Sequence, residues 1–480
     1  MKHLLFFLST ICCFSQSQLK ETQLKEDYEI LKTIISEVSP ALTADDKINL
    51  INYFNSHESE LQDKEMSSIE FFRFLIELKA NTKTDEHGSL TLSADVMKEI
   101  LTQSNVLFPI PILIIDDKLV VNHEKLPLPY GSIIHEINDR KVGELLDEML
   151  NRKDAFTLRN LEPSFDALYL IKYGSAETFK ILYTPPNSRI IETIWVEAID
   201  VKSRETLHRN AIYPLDRESL SNLLNTKYFE EKDTYYVQLN SFNAKTDSDN
   251  FYKEFDDVFT ELFKDIKKKD PKNVIIDLRY NGGGRMIIPA LFYSYLAAKP
   301  FNETIHLKIP DFQLPYKEYI KTIEGREVDD SAITQIIEDF KKPFTKIDDH
   351  YEHRFIDSFK MKPNKRAYNG NVYLLIGGKT FSAASHFTAL FKSENRGKLV
   401  GEQLGGSHKT ITAGLQVQYE LPNSKLLLGM PLGVLEFSEA VTNIPGTKIE
   451  PDIPISEETK YRYFLQKEDW DLQEVLKLID

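Results

Sequence analysis

The stretch GGKTFSAASH at residues 378–387 holds the residue types of two different chemistries. It follows an apolar, strand-like run, VYLLI (372–376). Its Gly-Lys-Thr tripeptide is typical of the end of a phosphate-binding loop, whereas Ser382, followed by two alanines, has the setting of a nucleophile at the start of a helix. A serine at that position is also a common helix N-cap. The segment therefore permits a nucleotide site, a nucleophile or a plain strand-to-helix turn.

The phosphate interpretation fails on spacing. A phosphate-binding loop needs a glycine five residues before the glycine of Gly-Lys-Thr, so that backbone N–H groups can surround the phosphates. Tyr373 stands at that position, inside the predicted strand. The loop is too short, and the sequence excludes a nucleotide site of this type.

A run of three glycines, Gly282–Gly284, follows a second strand-like stretch, NVIIDLR (273–279). The dinucleotide fingerprint G-x-G-x-x-G is not met, because Ile287 stands where its third glycine belongs. Glycines allow the backbone to approach another group closely and to direct N–H groups at it, as an oxyanion hole requires. A tight turn with positive φ explains the same residues, so both interpretations stay open for this loop alone.

Taken together, four stretches resemble the C-terminal processing and tail-specific serine peptidases of family S41: NVIIDLRYNGGG, VYLLIGGKTFSAASHFTALFK, RGKLVGEQLGGS and IEPDIPI (449–455). The resemblance covers most of residues 230–457. It extends upstream through LPYGSIIHEINDRKVGELL (128–146), which is similar to a PDZ-like module, and through DEHGSL (85–90). It implies an α/β (α+β) fold with a crotonase-like ββα protease core, a PDZ-like β domain and a helical N-terminal region. It also implies hydrolysis of protein or peptide substrates without a cofactor or a metal.

The resemblance implies a role for each matching residue. Ser382 is similar to the family's nucleophile. The backbone N–H groups of Ala383 and of the Gly282–Gly284 turn, in the first place Gly283, would form the oxyanion hole. One branch of the family uses a Ser/Lys dyad, but Ser407 stands where that lysine is expected.

A second branch places a histidine after the N-terminal helices, and His87 in Asp-Glu-His matches it. Histidine suits the task, because its unperturbed pKa of about 6.5 lets it accept a proton near neutrality. His87 is therefore the expected general base, with His408 and Lys409 as rivals. His386, one turn after the nucleophile, is expected to be a packing or surface residue.

An acid must orient the histidine. The segment in which the family places a glutamate offers Glu436, Glu439 and Glu450, and Glu439 is the expected residue. Glu402 is expected to brace the loop around the active site.

The periodicity predicts how these residues are positioned. Helical spacing over about 19–80 is followed by short strand-like runs over about 106–200, and then by alternating strands and helices. The predicted regions are a signal peptide at 1–18, a helical N-terminal region at 19–105, a PDZ-like domain at 106–204 and the peptidase core at 205–480. The PDZ-like region either binds substrate C-termini or shapes access to the site.

The first residues are typical of a secretory signal. MKH is basic, LLFFLSTICCF (4–14) is apolar but too short to span a bilayer, and SQSQ is polar. We therefore expect an exported protein, periplasmic or extracellular, with no integral membrane segment after signal removal. Lipid attachment at Cys12 or Cys13 is an alternative that Ile11 disfavours.

The charge composition limits the classes of partner that the protein is expected to bind. The 59 basic and 74 acidic residues give a formal net charge of −15, which argues against nucleic acid and against anionic membrane surfaces. The oligomeric state is not indicated. A second class of function fits the same fold: a peptide-binding protein that has lost catalysis, because Ser407 replaces the lysine of the dyad and the acid is uncertain.

Overall fold

The computed structural model describes residues 18–80, 87–103, 106–150, 153–215, 217–243 and 250–479. The predicted signal peptide up to residue 17, with Cys12 and Cys13, lies outside the described residues, as do Asp85 and Glu86. Within these ranges, the chain has no helix that combines the length and the apolar character needed to cross a membrane.

The N-terminal region is helical, as predicted. Tyr28, Leu31 and Ile34 recur on one face of its first helix and are buried, because a helix repeats every 3.6 residues. The elements are α1 Glu21–Val38, α2 Ala44–His57, α3 Ser68–Ala80 and α4 Ala94–Gln103, with β1 Leu19–Lys20, β2 Glu65–Met66 and β3 Ser89–Thr91. Strand β3 leaves this region and pairs antiparallel with residues 427–429 of the core, which fixes the chain that follows residue 86.

The second region contains a sheet in the order β10-β9-β7-β6-β5, with β8 pairing with β7. Its elements are β4 Val106–Leu107, β5 Ile112–Ile115, β6 Lys118–Val121, β7 Ile133–Ile137, β8 Arg140–Lys141, α5 Val142–Met149, α6 Ala155–Leu161, α7 Phe165–Tyr173, β9 Thr178–Thr184, β10 Glu192–Glu197, β11 Ile199–Asp200 and α8 Val201–Arg209. The predicted strands are confirmed. Helices α6 and α7 were not predicted, and α6 lies against the candidate site.

The core has a six-stranded sheet in the order β12-β13-β14-β20-β21-β24, parallel except for the pairing of β12 with β13. Its first elements are β12 Leu224–Phe229, β13 Thr234–Leu239, α9 Phe251–Lys269, β14 Asn273–Asp277, α10 Ile288–Ser294, β15 Phe301–Ile309, β16 Ile320–Ile323, β17 Arg326–Glu327, α11 Asp330–Lys341, β18 Thr345–Ile347 and β19 His350–Met361. The remaining elements are β20 Asn371–Ile376, α12 Ala383–Ser393, β21 Lys398–Gly401, β22 Ile411–Glu420, β23 Leu427–Phe437, α13 Glu439–Thr442, β24 Ile453–Pro454, α14 Glu457–Gln466 and α15 Trp470–Leu478. Alternation of strands and helices predicted this sheet.

A second, antiparallel sheet was not predicted. It runs in the order β17-β16-β22-β23-β15-β19-β18, and β3 pairs with β23. Residues 300–368 show no clear period in the sequence because β15 buries polar side chains such as Glu303, whereas β19 exposes aromatic ones such as Phe355 and Phe359. The mixed α/β fold is confirmed.

The two sheets bring the candidate residues together. Strands β14 and β20 are parallel neighbours, with Asp277 opposite Leu375, so their carboxyl ends meet at one edge. The glycine loop after β14 and the Ser382 turn after β20 leave from that edge. Strand β3 brings His87 to the same region.

Candidate active site

Ser382 lies at the turn between β20 and α12. Its backbone has φ 52° and ψ −121°, a conformation that non-glycine residues rarely adopt and that costs on the order of 1–3 kcal/mol. Strain of this size persists only where the surrounding structure imposes it, and such turns present a serine hydroxyl at the end of a strand. Ser382 is half-buried, and its Oγ makes no hydrogen bond with another described residue.

Thr380 explains the Gly-Lys-Thr tripeptide. Its buried hydroxyl donates to the carbonyl of Leu278 at 2.8 Å and accepts from the N–H of Gly377 at 3.0 Å. The N–H of Phe381 donates to the carbonyl of Asn281 at 3.1 Å. The threonine therefore ties the Ser382 turn to the glycine loop, which is a structural task and not a phosphate contact.

Gly283 is in direct contact with the Ser382 turn. A Cβ atom added at Gly283 would lie 2.8 Å from the Cβ of Ser382 and 2.9 Å from the backbone nitrogen of Ala383. The φ of Gly283 is +103°, a value that side chains rarely permit. Glycine is required here both by space and by backbone conformation.

Asn281 fixes the glycine loop through two hydrogen bonds of its side chain. Its side chain is fully buried, its Nδ2 donates to the carbonyl of Leu239 at 3.0 Å, and its Oδ1 accepts from the N–H of Gly283 at 2.9 Å. The N–H of Gly283, the expected second oxyanion donor, is thus directed at Asn281. The residues on either side of Gly284 hydrogen-bond to Phe242: the N–H of Phe242 donates to the carbonyl of Gly283, and the N–H of Arg285 donates to the carbonyl of Phe242. The N–H of Gly284 therefore faces away from Phe242.

Ala383, the other expected donor, is the first residue of α12 and is fully buried. Its N–H has no acceptor among the described residues. An N–H at the first turn of a helix lacks an intrahelical partner and carries the positive end of the helix dipole. An oxygen that becomes negative next to Ser382 would be stabilised there.

Arg279 anchors the loop to the end of the chain. Its guanidinium pairs with Asp277 at 2.6 Å, Asp469 at 2.7 Å and Asp471 at 2.9 Å. Burial raises the pKa of the Asp471 carboxyl, against the opposite effect of Arg279. These pairs hold α15 against the end of β14.

His87 lies beside the Ser382 turn. Its ring centroid is 4.7 Å from that of Phe381, the residue before the nucleophile, and its Nδ1 is 3.1 Å from the Oγ1 of Thr412 in β22. The side chain is half-buried, whereas Thr412 is almost fully buried. His87 thus contacts the residue that precedes Ser382, but no hydrogen bond joins the side chains of His87 and Ser382. Thr412 was not singled out from the sequence, since a threonine in an unrecognised strand carries no signal.

His408 and Lys409, the two rival candidates for the general base, lie in environments that differ from that of His87. His408 is fully buried, its Nε2 is 3.3 Å from the carbonyl of Ile444, and burial lowers the pKa of its imidazole. Lys409 is half-buried, and its backbone N–H donates to Ser407 Oγ at 3.1 Å. Within the described part of the chain, neither side chain hydrogen-bonds to Ser382.

His386 is a packing residue, as expected. Its ring is fully buried, stacks on Phe437 with centroids 4.2 Å apart, and its Nε2 lies 3.1 Å from Oε2 of Glu303. These contacts hold the ring in the layer between α12 and the antiparallel sheet.

The candidate acids are not brought to His87. Glu439 begins α13 with an exposed side chain, and its carboxylate makes no hydrogen bond or ion pair with the other residues that the structure describes. Glu436 pairs with Lys308 at 2.8 Å. Glu450 accepts a hydrogen bond from Gln403. Thr412, by contrast, contacts the His87 ring.

Glu402 joins three regions of the chain. It accepts hydrogen bonds from Arg159 of α6 at 3.0 and 2.5 Å and from Lys460 of α14 at 2.9 Å. Burial alone would raise the pKa of this carboxyl, but Arg159 and Lys460 hold it well below its usual range. Helix α6 in turn packs Phe156 against Phe381 with centroids 5.0 Å apart. Glu402 therefore braces the site, as expected.

Comparison with known proteins agrees with this geometry. Residues 233–455 match the family model of peptidase family S41. This match assigns residues 233–455 to peptidase family S41. The match spans the Gly282–Gly284 loop and the Ser382 turn. It supports a hydrolase that acts on protein or peptide substrates.

Solved structures are similar to this chain in fold. Mature CPAF in complex with lactacystin is similar at a TM-score of 0.62 and 15% identity, over 96% of this chain and 98% of that chain. A mutant of CPAF is similar at a TM-score of 0.65 and 14% identity, over 96% and 97%. At these identities the likeness concerns the fold alone. No curated protein matches the chain.

Proposed function

We propose that the chain is an exported serine endopeptidase that cleaves peptide bonds through an acyl-enzyme on Ser382. The observation that carries the proposal is the strained backbone of Ser382, pressed against a glycine that leaves no room for a side chain. A serine that only caps a helix would need neither the strain nor the glycine.

Acylation uses three groups. Ser382 Oγ attacks the carbonyl carbon of the substrate while His87, through Nε2, takes the hydroxyl proton. The carbonyl oxygen becomes an oxyanion and accepts hydrogen bonds from the N–H of Ala383 and from a second N–H of the Gly282–Gly284 loop. The intermediate then collapses, the C–N bond breaks, and the leaving amine takes the proton back from His87.

Deacylation repeats the steps with water. His87 removes a proton from the water molecule, whose oxygen attacks the ester carbon. When the second intermediate collapses, Ser382 Oγ leaves and recovers the proton, and the new carboxylic acid departs. Because Thr412 Oγ1 lies 3.1 Å from Nδ1, we assign both transfers to the Nε2 of His87.

We expect the PDZ-like domain at 106–204 to shape access to the site. A peptide adds to a sheet through the free N–H and C=O groups of an edge strand. On the edge strand β5, Glu162 accepts from the N–H of Ile114 at 2.8 Å, and Arg159 donates to the carbonyl of Ile114 at 2.9 Å. Glu457 accepts from the N–H of Asp116 at 3.1 Å. These side chains occupy the groups of Ile114 and Asp116 that a peptide strand along this edge would need.

Export rests on the sequence of the first 18 residues. N-terminal sequencing of the protein recovered outside the cytoplasm should give a start close to Gln18. A protein that keeps Met1 and stays in the cytoplasm would contradict export without affecting the catalytic proposal.

The catalytic proposal is tested by hydrolysis of an unfolded protein such as casein. We expect Ser382→Ala to abolish cleavage and Ser385→Ala to retain it. Ser385 is a matched control, because it lies one turn from Ser382 and its buried hydroxyl donates to the carbonyl of Thr380. Equal activity of the wild type and Ser382→Ala would contradict the proposal.

A catalytically inactive peptide-binding protein of the same fold is the second candidate. The observation in its favour is the missing hydrogen bond between Ser382 and His87 in the described structure. Catalytic hydrogen bonds are often long in the absence of substrate, which favours the peptidase. Tight binding of peptides with no turnover by the wild type would favour the second candidate.

A further inference from the structure

A cavity of about 260 Å³ lies where the PDZ-like region, the segment after α8 and the carboxyl ends of β14 and β20 meet. The strand ends contribute Tyr280 and Lys379, and the segment after α8 contributes Tyr213 and Arg217. Ser382 and His87 do not line it. The crevice outside the carboxyl ends of parallel strands is the usual position of ligands in α/β sheets.

Lys379 brings an unpaired positive charge to this cavity. Among the described residues, no carboxylate lies within ion-pair distance of its Nζ, which is 6.0 Å from the ring centroid of Tyr280. Burial lowers the pKa of the Lys379 ammonium, and Arg159 and Arg217 lower it further against the opposite effect of Glu162. An ammonium that is half-buried without an anion is costly, so a bound anion would stabilise it.

Arg217 brings a second positive charge. Its Nη2 donates to the carbonyl of Tyr213 at 3.0 Å, while its buried Nε has no acceptor in the described part of the chain. Burial lowers the pKa of this guanidinium too. The nearby carboxylates of Glu162 and Glu402 are held by Arg159. The remaining N–H groups of Arg217 match the planar fork of a carboxylate.

The rest of the wall has a charged part, in which Arg279 pairs with Asp471, and an apolar part. Tyr213 stacks on Trp470 with centroids 4.3 Å apart and an interplanar angle of 14°, and Ile112 and Leu220 also line the cavity. The N–H of Ile114 faces the open edge of β5, and by the two-residue alternation of a strand the N–H of Ile112 faces the same side. The wall therefore suits a ligand with one anionic end and an apolar body.

We propose that this cavity binds a small organic carboxylate, whose oxygens pair with Lys379 and Arg217 while its apolar body packs against Tyr213 and Ile112. The carboxylate belongs either to a free organic acid or to the C-terminus of a short peptide. The site is separate from Ser382, so its binding does not depend on the catalytic proposal.

The test uses the full-length Ser382→Ala protein, in which no peptide is consumed, and isothermal titration calorimetry with benzoate and benzamide. We expect benzoate to bind at least 10-fold more tightly than benzamide, because only benzoate carries the charge. Lys379→Met and Arg217→Gln should each weaken benzoate at least 10-fold, whereas Lys379→Arg should retain it. Lys362→Met, which changes an exposed lysine outside the cavity, is the matched control. Circular dichroism checks that each variant is folded.

Calorimetric titration with acetyl-Ala-Leu, as the free acid and as the amide, distinguishes the two sources of the carboxylate. Binding of the acid more tightly than benzoate assigns the site to peptide termini, and the reverse order assigns it to free organic acids. No binding of either acid, or equal benzoate binding by the folded Lys379→Met and Arg217→Gln variants, would overturn the proposal.

Discussion

The Nδ1 of His87 lies 3.1 Å from the Oγ1 of Thr412, so a threonine of the antiparallel sheet holds the ring of the proposed general base. This contact crosses from the N-terminal region to the core, and the pairing of β3 with β23 makes it possible. We expect this neutral hydroxyl to help orient the ring, a task that a carboxylate has in a Ser-His-Asp triad.

Thr412→Val should therefore lower kcat/KM for peptide hydrolysis by about 10- to 100-fold, since a hydrogen bond to a charged group contributes about 1.5–3 kcal/mol. Valine has nearly the same shape, so the fold should persist. Thr412→Ser keeps the hydroxyl and should keep most of the activity.

Glu439→Gln provides the contrast to Thr412→Val. The side chain of Glu439 is exposed and does not contact His87. We therefore expect Glu439→Gln to change kcat/KM by no more than about 2-fold, as for a surface substitution away from the reacting groups. A loss of about 100-fold in Glu439→Gln, with Thr412→Val unchanged, would return the orienting role to the glutamate.

Gly283→Ala should abolish activity without unfolding the protein. The added methyl would lie 2.8 Å from the Cβ of Ser382 and would force the nucleophile to move. We expect kcat to fall by at least about 100-fold, because misplacing a reacting group by about 1 Å has an effect of that size. Gly282→Ala is the control from the same loop, because a Cβ there meets nothing within 4 Å. Comparable activity of the two variants would contradict the close contact.

The lowered pKa of Glu402 predicts that the stability of the folded protein depends on pH. Its pKa is lowered in the folded protein, so its contribution is present above the unfolded value of about 4.3 and is lost as the pH falls through the folded value. We expect Glu402→Gln to lower the free energy of unfolding by about 3 kcal/mol at pH 7 and by progressively less below about pH 4. Urea unfolding at several pH values measures both effects.

Glu457→Gln is the matched control for Glu402→Gln. Glu457 also pairs with Lys460 but is 40% exposed, so its loss should cost less than about 1 kcal/mol. Equal destabilisation by the two variants, or a Glu402→Gln effect that grows as the pH falls, would contradict the proposed role of Glu402.

The sequence predicted those parts of the site that lie on regular βα turns. Ser382 and Gly283 follow apolar strands and stand among small residues, which is a local and readable pattern. Thr412 could not be predicted, because its position depends on the pairing of β3 with β23 across the whole chain. Phe156 and Arg159 were missed because α6 lies in a region whose short strands predicted a mostly β domain.

The antiparallel sheet was missed for a related reason. Buried Glu303 interrupts the alternation of apolar and polar residues in β15, and exposed Phe359 lies in β19, which lacks the alternation that identifies a half-buried strand. The domain boundaries and the roles of Ser382, His87, Glu439, Gly283 and Ala383 remain predictions.

The central claim, that Ser382 is a nucleophile activated by His87, is tested most directly by labelling with a fluorophosphonate followed by peptide mass spectrometry. We predict a single phosphonylated residue, Ser382, in the wild type, and labelling at least about 100-fold slower in His87→Ala but not in His408→Ala or Lys409→Ala. An unlabelled wild type, or labelling of Ser382 that survives His87→Ala and is lost in His408→Ala or Lys409→Ala, would contradict the account.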